Sequence, residues 1–352
     1  MAPSQGTNPG TGPSQGPGPA SGPGSPAVSD MTPQMMPGQA VSLPAGNNVV
    51  QVTAPGALMQ TGGSDTIMSQ HGAMTLNASG GNTVIYGGMD GDLVNEGQSC
   101  VFVGAPGGGV STVNASPGGS DTVFAVTGID YHGEHGDHSL FVGGSGAATV
   151  HCAPDQVLFA GMGGGVYTAG TSQLFFAGGG GADTVIGNAA SCAFWGSDHE
   201  RLTLMTGSAS GTGANVVAFG ADDQIDMTHN GGRNSVILWN AQIGSGGNAS
   251  GFCGNTTLTA SDAGHDVFVL FSGSQFGMAS DGPHTITINN WQPGDILDLS
   301  FARDAAGNFL AGYTAADAAS AQAQLASGSS FTLSDGSTVM FHGAKPTTVL
   351  HV

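Results

Sequence analysis

The chain has 352 residues, 63 of them glycine, and 39 % of it is apolar, enough for a substantial core in one large domain or two ordinary ones, without the triplet period of collagen. Twenty-four acidic residues stand against four basic ones, Arg201, Arg233, Arg303 and Lys345, a net charge of −20 that excludes nucleic acid as a partner and disfavours anionic lipid. No apolar run approaches the roughly 18 residues of a membrane-spanning helix, and MAPSQGTNPG has neither the basic nor the apolar region of a secretory leader, so membrane insertion and an N-terminal signal are not expected.

Residues 1–45 are dominated by Pro, Gly, Ser and Gln and read as a disordered tail, because they cannot bury enough surface to offset chain entropy. Residues 46–300 carry short apolar bursts separated by glycine-rich turns, for example LFVGGSGAA from Leu140, TVHCAPDQ from Thr149, VLFAGMGGG from Val157, VYTAGTSQ from Val166 and LFFAGGGGA from Leu174. The half-repeat is eight or nine residues and the full repeat 17 or 18. That period predicts an all-β parallel solenoid, two short strands per coil, in which stacking supplies a core that no single coil has. Cys100, Cys152, Cys192 and Cys253 are widely spaced and read as small buried side chains. Residues 301–352 read as a cap. Thr314 can N-cap a helix through AADAASAQAQLAS that Gly328 ends, and Asp335-Gly336 between FTLS and STVMF signals a two-residue hairpin turn.

GGGGADTVI, Gly178 to Ile186, fits GGxGxDxUx, and the chain here resembles the RTX-type (haemolysin-type) calcium-binding β-roll proteins. Partial copies surround Asp65, Asp121 and Asp266, while Asn82 and Asn234 take the aspartate place in two others. TITINNWQPGDILDLS, the alanine-rich stretch and FTLSDGSTVMFHG are similar to the C-terminal region of type I-secreted members. The resemblance spans roughly residues 60–350 and implies a secreted or surface-associated protein, exported by type I machinery, with calcium held between stacked turns.

Taking the aspartate place as two before the first core residue, one side of the stack reads Asp65, Asn82, Asp121, His138, Asp155, Ser172, and the other Asp92, Asp130, Ala148, Gly165, Asp183, Glu200. The metal candidates are therefore Asp183 with Glu200, Asp121 with His138 and Asp155, and Asp65 and Asp266. Asp295 and Asp298 read as hydrogen-bond acceptors of a turn and a strand end. His132, His135 and His138 could together hold a transition metal, serve as a degenerate calcium turn, or form a plain polar turn. Gly133 and Gly136 argue against the helix that would make the three imidazoles converge.

No GxSxG elbow, HExxH or phosphate-binding loop is present, the match GPSQG from Gly12 lying in the Pro- and Gly-rich tail without the strand and helix of an elbow, and before residue 201 no Arg or Lys is available to neutralise a uronate or an oxyanion. The expected function is a calcium-binding solenoid with a structural or adhesive role at the cell surface or in extracellular matrix, with surface proteins or polysaccharide as partners. A carbohydrate-active enzyme on the same scaffold is the alternative.

Overall fold

The computed structural model describes residues 29–31, 37–53, 55–56, 58–71, 73–78, 80–133, 138–151, 155–168, 173–187, 191–195, 201–206, 212–218, 223–240, 255–272, 283–300, 302–303, 309–311 and 313–351. Up to Ile296–Asp298 successive strands alternate between two sheets, each of which has 15 strands, and Ala302–Arg303 and Phe309–Ala311 form a separate antiparallel pair. The pairing is parallel throughout both sheets except at the last strand of the second, Ser330–Thr332, which runs antiparallel to Thr338–His342. This is the expected all-β solenoid. Val50 pairs with Ile67, 17 residues on, and Val113 with Tyr131, 18 residues on.

Alternation along each strand sends every second residue into the space between the sheets. In the first sheet Val50, Ile67, Ile85, Phe102, Val123 and Phe141 form one fully buried file. In the second, Met59, Leu76, Val94, Val113, Tyr131 and Val150 form its counterpart. Each such side chain contributes about 1.5–3 kcal/mol by leaving water. Aromatic rings bridge the two files: Tyr167 meets Phe176 edge-on at 5.1 Å and Phe141 at 6.2 Å.

The glycines are explained by the turns stacking as closely as the strands. A Cβ on Gly161 would lie 2.0 Å from the Gly144 carbonyl oxygen, and one on Gly179 would lie 2.1 Å from that of Ala160. Side chains at these places would force the coils apart.

The sheets begin before the expected boundary at residue 45, since Ser29–Met31 pairs with Asn48–Val52 and Ala40–Ser42 with Leu58–Thr61. Beyond Cys192 the coils lengthen. Cys192 pairs with Ala214, Val236 with Phe268, and Leu297 with Val349.

At the C-terminal end the helix runs Ala315–Ser327, with Thr314 as N-cap in a capping box with Asp317, and stops at Gly328. It buries Ala318, Ala321 and Leu325, and Lys345 Nζ donates to the Leu325 and Gly328 carbonyls at its C-terminus. The hairpin loop differs from the expected two-residue turn. Leu333 N donates to Ser337 O and Gly336 N to Leu333 O, leaving a three-residue loop in which Gly336 adopts φ +88°. Thr338–His342 joins the second sheet and Val349–Leu350 the first, so this region extends both sheets as well as covering their end. No helix among the described residues is long and apolar enough to cross a membrane.

Candidate functional site

Of the aspartates singled out in the sequence, Asp65, Asp121 and Asp266 lie buried at the starts of strands, where each carboxylate takes the amide of the equivalent residue one coil earlier. Asp65 Oδ1 accepts from Asn48 N at 2.9 Å and Asn48 Nδ2 at 2.7 Å. Asp121 Oδ1 accepts from Cys100 N at 3.2 Å, and Asp266 Oδ1 from Asn234 N at 3.3 Å and Nδ2 at 2.8 Å. The second oxygen often closes the residue's own turn: Asp266 Oδ2 accepts from Ser261 N at 2.8 Å and Asp295 Oδ2 from Gln292 N at 2.7 Å. Asp92, on the other sheet, does both, taking Met74 N at 2.8 Å and Gly88 N at 2.7 Å. Burial is the larger influence on Asp92 and Asp295 and holds both carboxyls above their usual range despite these amides. Asp298 accepts from Ser300 N at 2.8 Å, so Asp295 and Asp298 are hydrogen-bond acceptors as expected.

The ladder separates several residues that spacing groups together. Ser120 pairs with His138 and Asp121 with Ser139, so His138 is beside Asp155, as expected, but one place off the file of Asp121. The cause is one residue of coil length, since side chains alternate faces at every position. His138 is exposed on the outer side of the first sheet. Asn82 likewise faces outward and Thr83 takes the inward place beside Cys100. On the second sheet Ile129, and not Asp130, fills the inward file, followed by Ala148, Gly165 and Asp183. Asp183 is 1 % exposed and pairs with Leu202. Glu200 and His135 lie outside the described residues, and of Asp155 only the backbone is described.

A buried polar cluster centres on Glu96, which spacing does not single out. It includes Cys100, Asp121, Tyr131 and Ser139, all buried. Tyr131 Oη lies 3.0 Å from Asp121 Oδ2 and 2.8 Å from Ser139 Oγ. Neither Glu96 oxygen accepts a bond from nitrogen or hydroxyl among the described residues, and its polar neighbours are the Cys100 thiol and the Asp121 carboxyl. Burial, and then contact with the Asp121 carboxyl, push Glu96 up to about 10. The Cys100 thiol is raised by burial and by the neighbouring Glu96 and Asp121, and the Tyr131 phenol by burial and Asp121. Two carboxyls in contact without a counter-ion must hold a proton or a cation between them.

The outer faces differ in chemistry. On the first sheet one file runs Met68, Tyr86, Val103, Phe124, Val142, Phe159, and Tyr86, Phe124 and Phe159 are 47, 39 and 42 % exposed. On the second sheet the matching file runs Gln60, Asn77, Asn95, Asn114, His132, His151. Asn95 Nδ2 donates to Asn77 Oδ1 and Asn114 Nδ2 to Asn95 Oδ1, both at 2.7 Å. His132 and His138 thus belong to different sheets. Further along the second sheet's outer face, a groove of about 420 Å³ is lined by Arg201, Gln224 and Asp226 together with Thr184, Thr203 and Thr257.

Comparison with protein-family models, curated proteins and solved structures found no match.

Proposed function

We propose that the chain is a secreted, acidic β-solenoid with a structural or adhesive role at the cell surface or in extracellular matrix, assisted in folding by calcium. The observation that carries the adhesive role is the exposed apolar file Met68, Tyr86, Val103, Phe124, Val142, Phe159. In register and free of acids, it suits a second copy stacked face to face, because none of the charge of −20 is carried by this file. Support for calcium comes from the donor-poor oxygens of Glu96 beside Asp121, and from Asp65 Oδ2, buried without a donor among the described residues. A hard cation there would displace a proton and bind only the folded chain, so calcium outside the cell would favour coil formation. Export through type I machinery rests on the C-terminal resemblance.

Circular dichroism and sedimentation velocity in chelator, then in millimolar calcium, test both parts. The proposal expects β structure and compaction to be gained with calcium, and association to be lost when Phe124→Asp and Phe159→Asp are combined. A chelated chain that is already fully folded sinks the calcium part, and a monomer at every concentration sinks the adhesive part. The groove at Arg201 favours a second reading, a carbohydrate-active enzyme, because Arg201 and Asp226 line it together with several threonines. Release of reducing ends or unsaturated products from a polysaccharide panel would establish it.

A further inference from the structure

We propose that Asp130, His132 and His151 form a solvent-open site for a divalent transition-metal ion on the outer face of the second sheet. His132 and His151 occupy neighbouring places in one file, because their strands are parallel and in register. Their rings stack with centroids 4.9 Å apart and planes 8° from parallel. Asp130 is the next outward residue on the same strand as His132, and its Oδ2 lies 3.3 Å from His132 Nε2. One ligand atom from each of the three residues lies within 4.8 Å of the others.

Ligand atoms about 2.0–2.2 Å from a tetrahedral ion sit roughly 3.3–3.6 Å from one another. Asp130 and His132 already stand at that separation, and because the lone pair of an imidazole lies in its ring plane, binding requires the His151 ring to swing out of the stack so that its nitrogen converges on the Asp130–His132 pair. The fourth position faces water, since the Asp130 and His132 side chains are 38 and 34 % exposed. Two imidazoles and a carboxylate suit zinc or copper, whereas calcium takes oxygen ligands, so this site is chemically distinct from the buried carboxylates.

The file itself supports the assignment. From Asn77 to Asn114 its members are joined by amide hydrogen bonds, each side chain donating to the one before. At His132 and His151 ring stacking replaces that relay. An overall charge of −20 raises the local concentration of cations at such a place.

The test is zinc titration by calorimetry, together with copper electron paramagnetic resonance on the full chain. Wild type should take up one zinc saturably, with two nitrogens in the copper spectrum. His132→Asn and His151→Asn should each weaken binding at least tenfold and remove one nitrogen from the spectrum, whereas His138→Asn should leave both readouts unchanged. Circular dichroism establishes that the variants keep their fold, which half-exposed outer-face positions allow. Absence of saturable zinc uptake by wild type, or unchanged uptake when His132→Asn and His151→Asn are combined, would overturn the proposal.

Discussion

Glu96 follows the strand Leu93–Asn95 with its carboxyl buried against that of Asp121, whose Oδ2 takes the Tyr131 hydroxyl at 3.0 Å. No basic residue lies before Arg201 in the sequence, so no Lys or Arg of this half of the solenoid offsets the pair. In the absence of a metal Glu96 keeps its proton, and the pH dependence follows. Its folded pKa, about 10, lies above the ordinary 4.5, so the stability linked to that proton is complete below pH 4.5 and is lost as pH rises through about 10. The slope is at most about 1.4 kcal/mol per pH unit. In chelator, Glu96→Gln should remove this slope and be the more stable protein on the alkaline side. Urea unfolding of both proteins across that window checks it. Parallel curves would mean that Glu96 is ionised in the fold.

Asp266 joins three donors, Ser261 N, Asn234 N and Asn234 Nδ2, and is fully buried. Asp266→Ala leaves those donors unpaired where water does not reach, at a cost of about 2–4 kcal/mol. Asp262 accepts one exposed bond, from Asn290 Nδ2 at 2.9 Å, and Asp262→Ala should cost less than about 0.5 kcal/mol. Chemical denaturation of the two variants in chelator separates a carboxylate that caps backbone from one that serves only as a metal ligand, because only the first matters without the ion.

The period of apolar bursts was sufficient to read the solenoid, because each coil repeats the same alternation and glycine marks each turn. The helix was legible for a local reason, since Thr314, Asp317 and Gly328 act within a few residues of one another. What spacing could not supply was the ladder register. Coils differ in length by one residue, as between Ser120–His138 and His138–Asp155, and one residue reverses the face a side chain takes. That is why Asp121 falls beside Ser139 and why Asp130 faces outward, where it meets His132. Glu96 carried a signal of its own: two residues after the core residue Val94, it shares that residue's inward parity.

Turn packing gives a sharper substitution test than strand packing. On Gly161 a methyl group would enter the Gly144 backbone, with oxygen at 2.0 Å and nitrogen at 2.5 Å, and backbone in a stacked turn cannot swing aside. Gly161→Ala should therefore destabilise by roughly 3 kcal/mol, the upper range for overpacking. Gly118 is the comparison, because nothing lies within 4 Å of a Cβ there and its φ of +78° is the only obstacle. Gly118→Ala should cost about 1 kcal/mol. Thermal unfolding of the pair ranks the two effects, and an equal loss would show that the coils part readily at Gly161.

Asp317 ties the cap to itself and to the hairpin. Its Oδ2 accepts from Thr314 N at 2.9 Å and Thr314 Oγ1 at 2.7 Å, and its Oδ1 accepts from Ser334 N at 3.1 Å. Burial would raise this carboxyl, but the bonds from Thr314 and Ser334 outweigh it and hold the group below its ordinary 3.8. The sign is therefore opposite to that of Glu96: the stabilisation is present above pH 3.8 and is lost as pH falls through the lower folded value. Asp317→Ala should cost about 1–2 kcal/mol near neutral pH, as for a lost N-terminal cap with an added buried acceptor. The gap to wild type should narrow as the medium is acidified below that point. Urea unfolding at neutral and acidic pH, followed by helix-sensitive circular dichroism, measures it. A gap that stays constant with pH would assign the loss to packing around the Asp317 side chain and not to its charge.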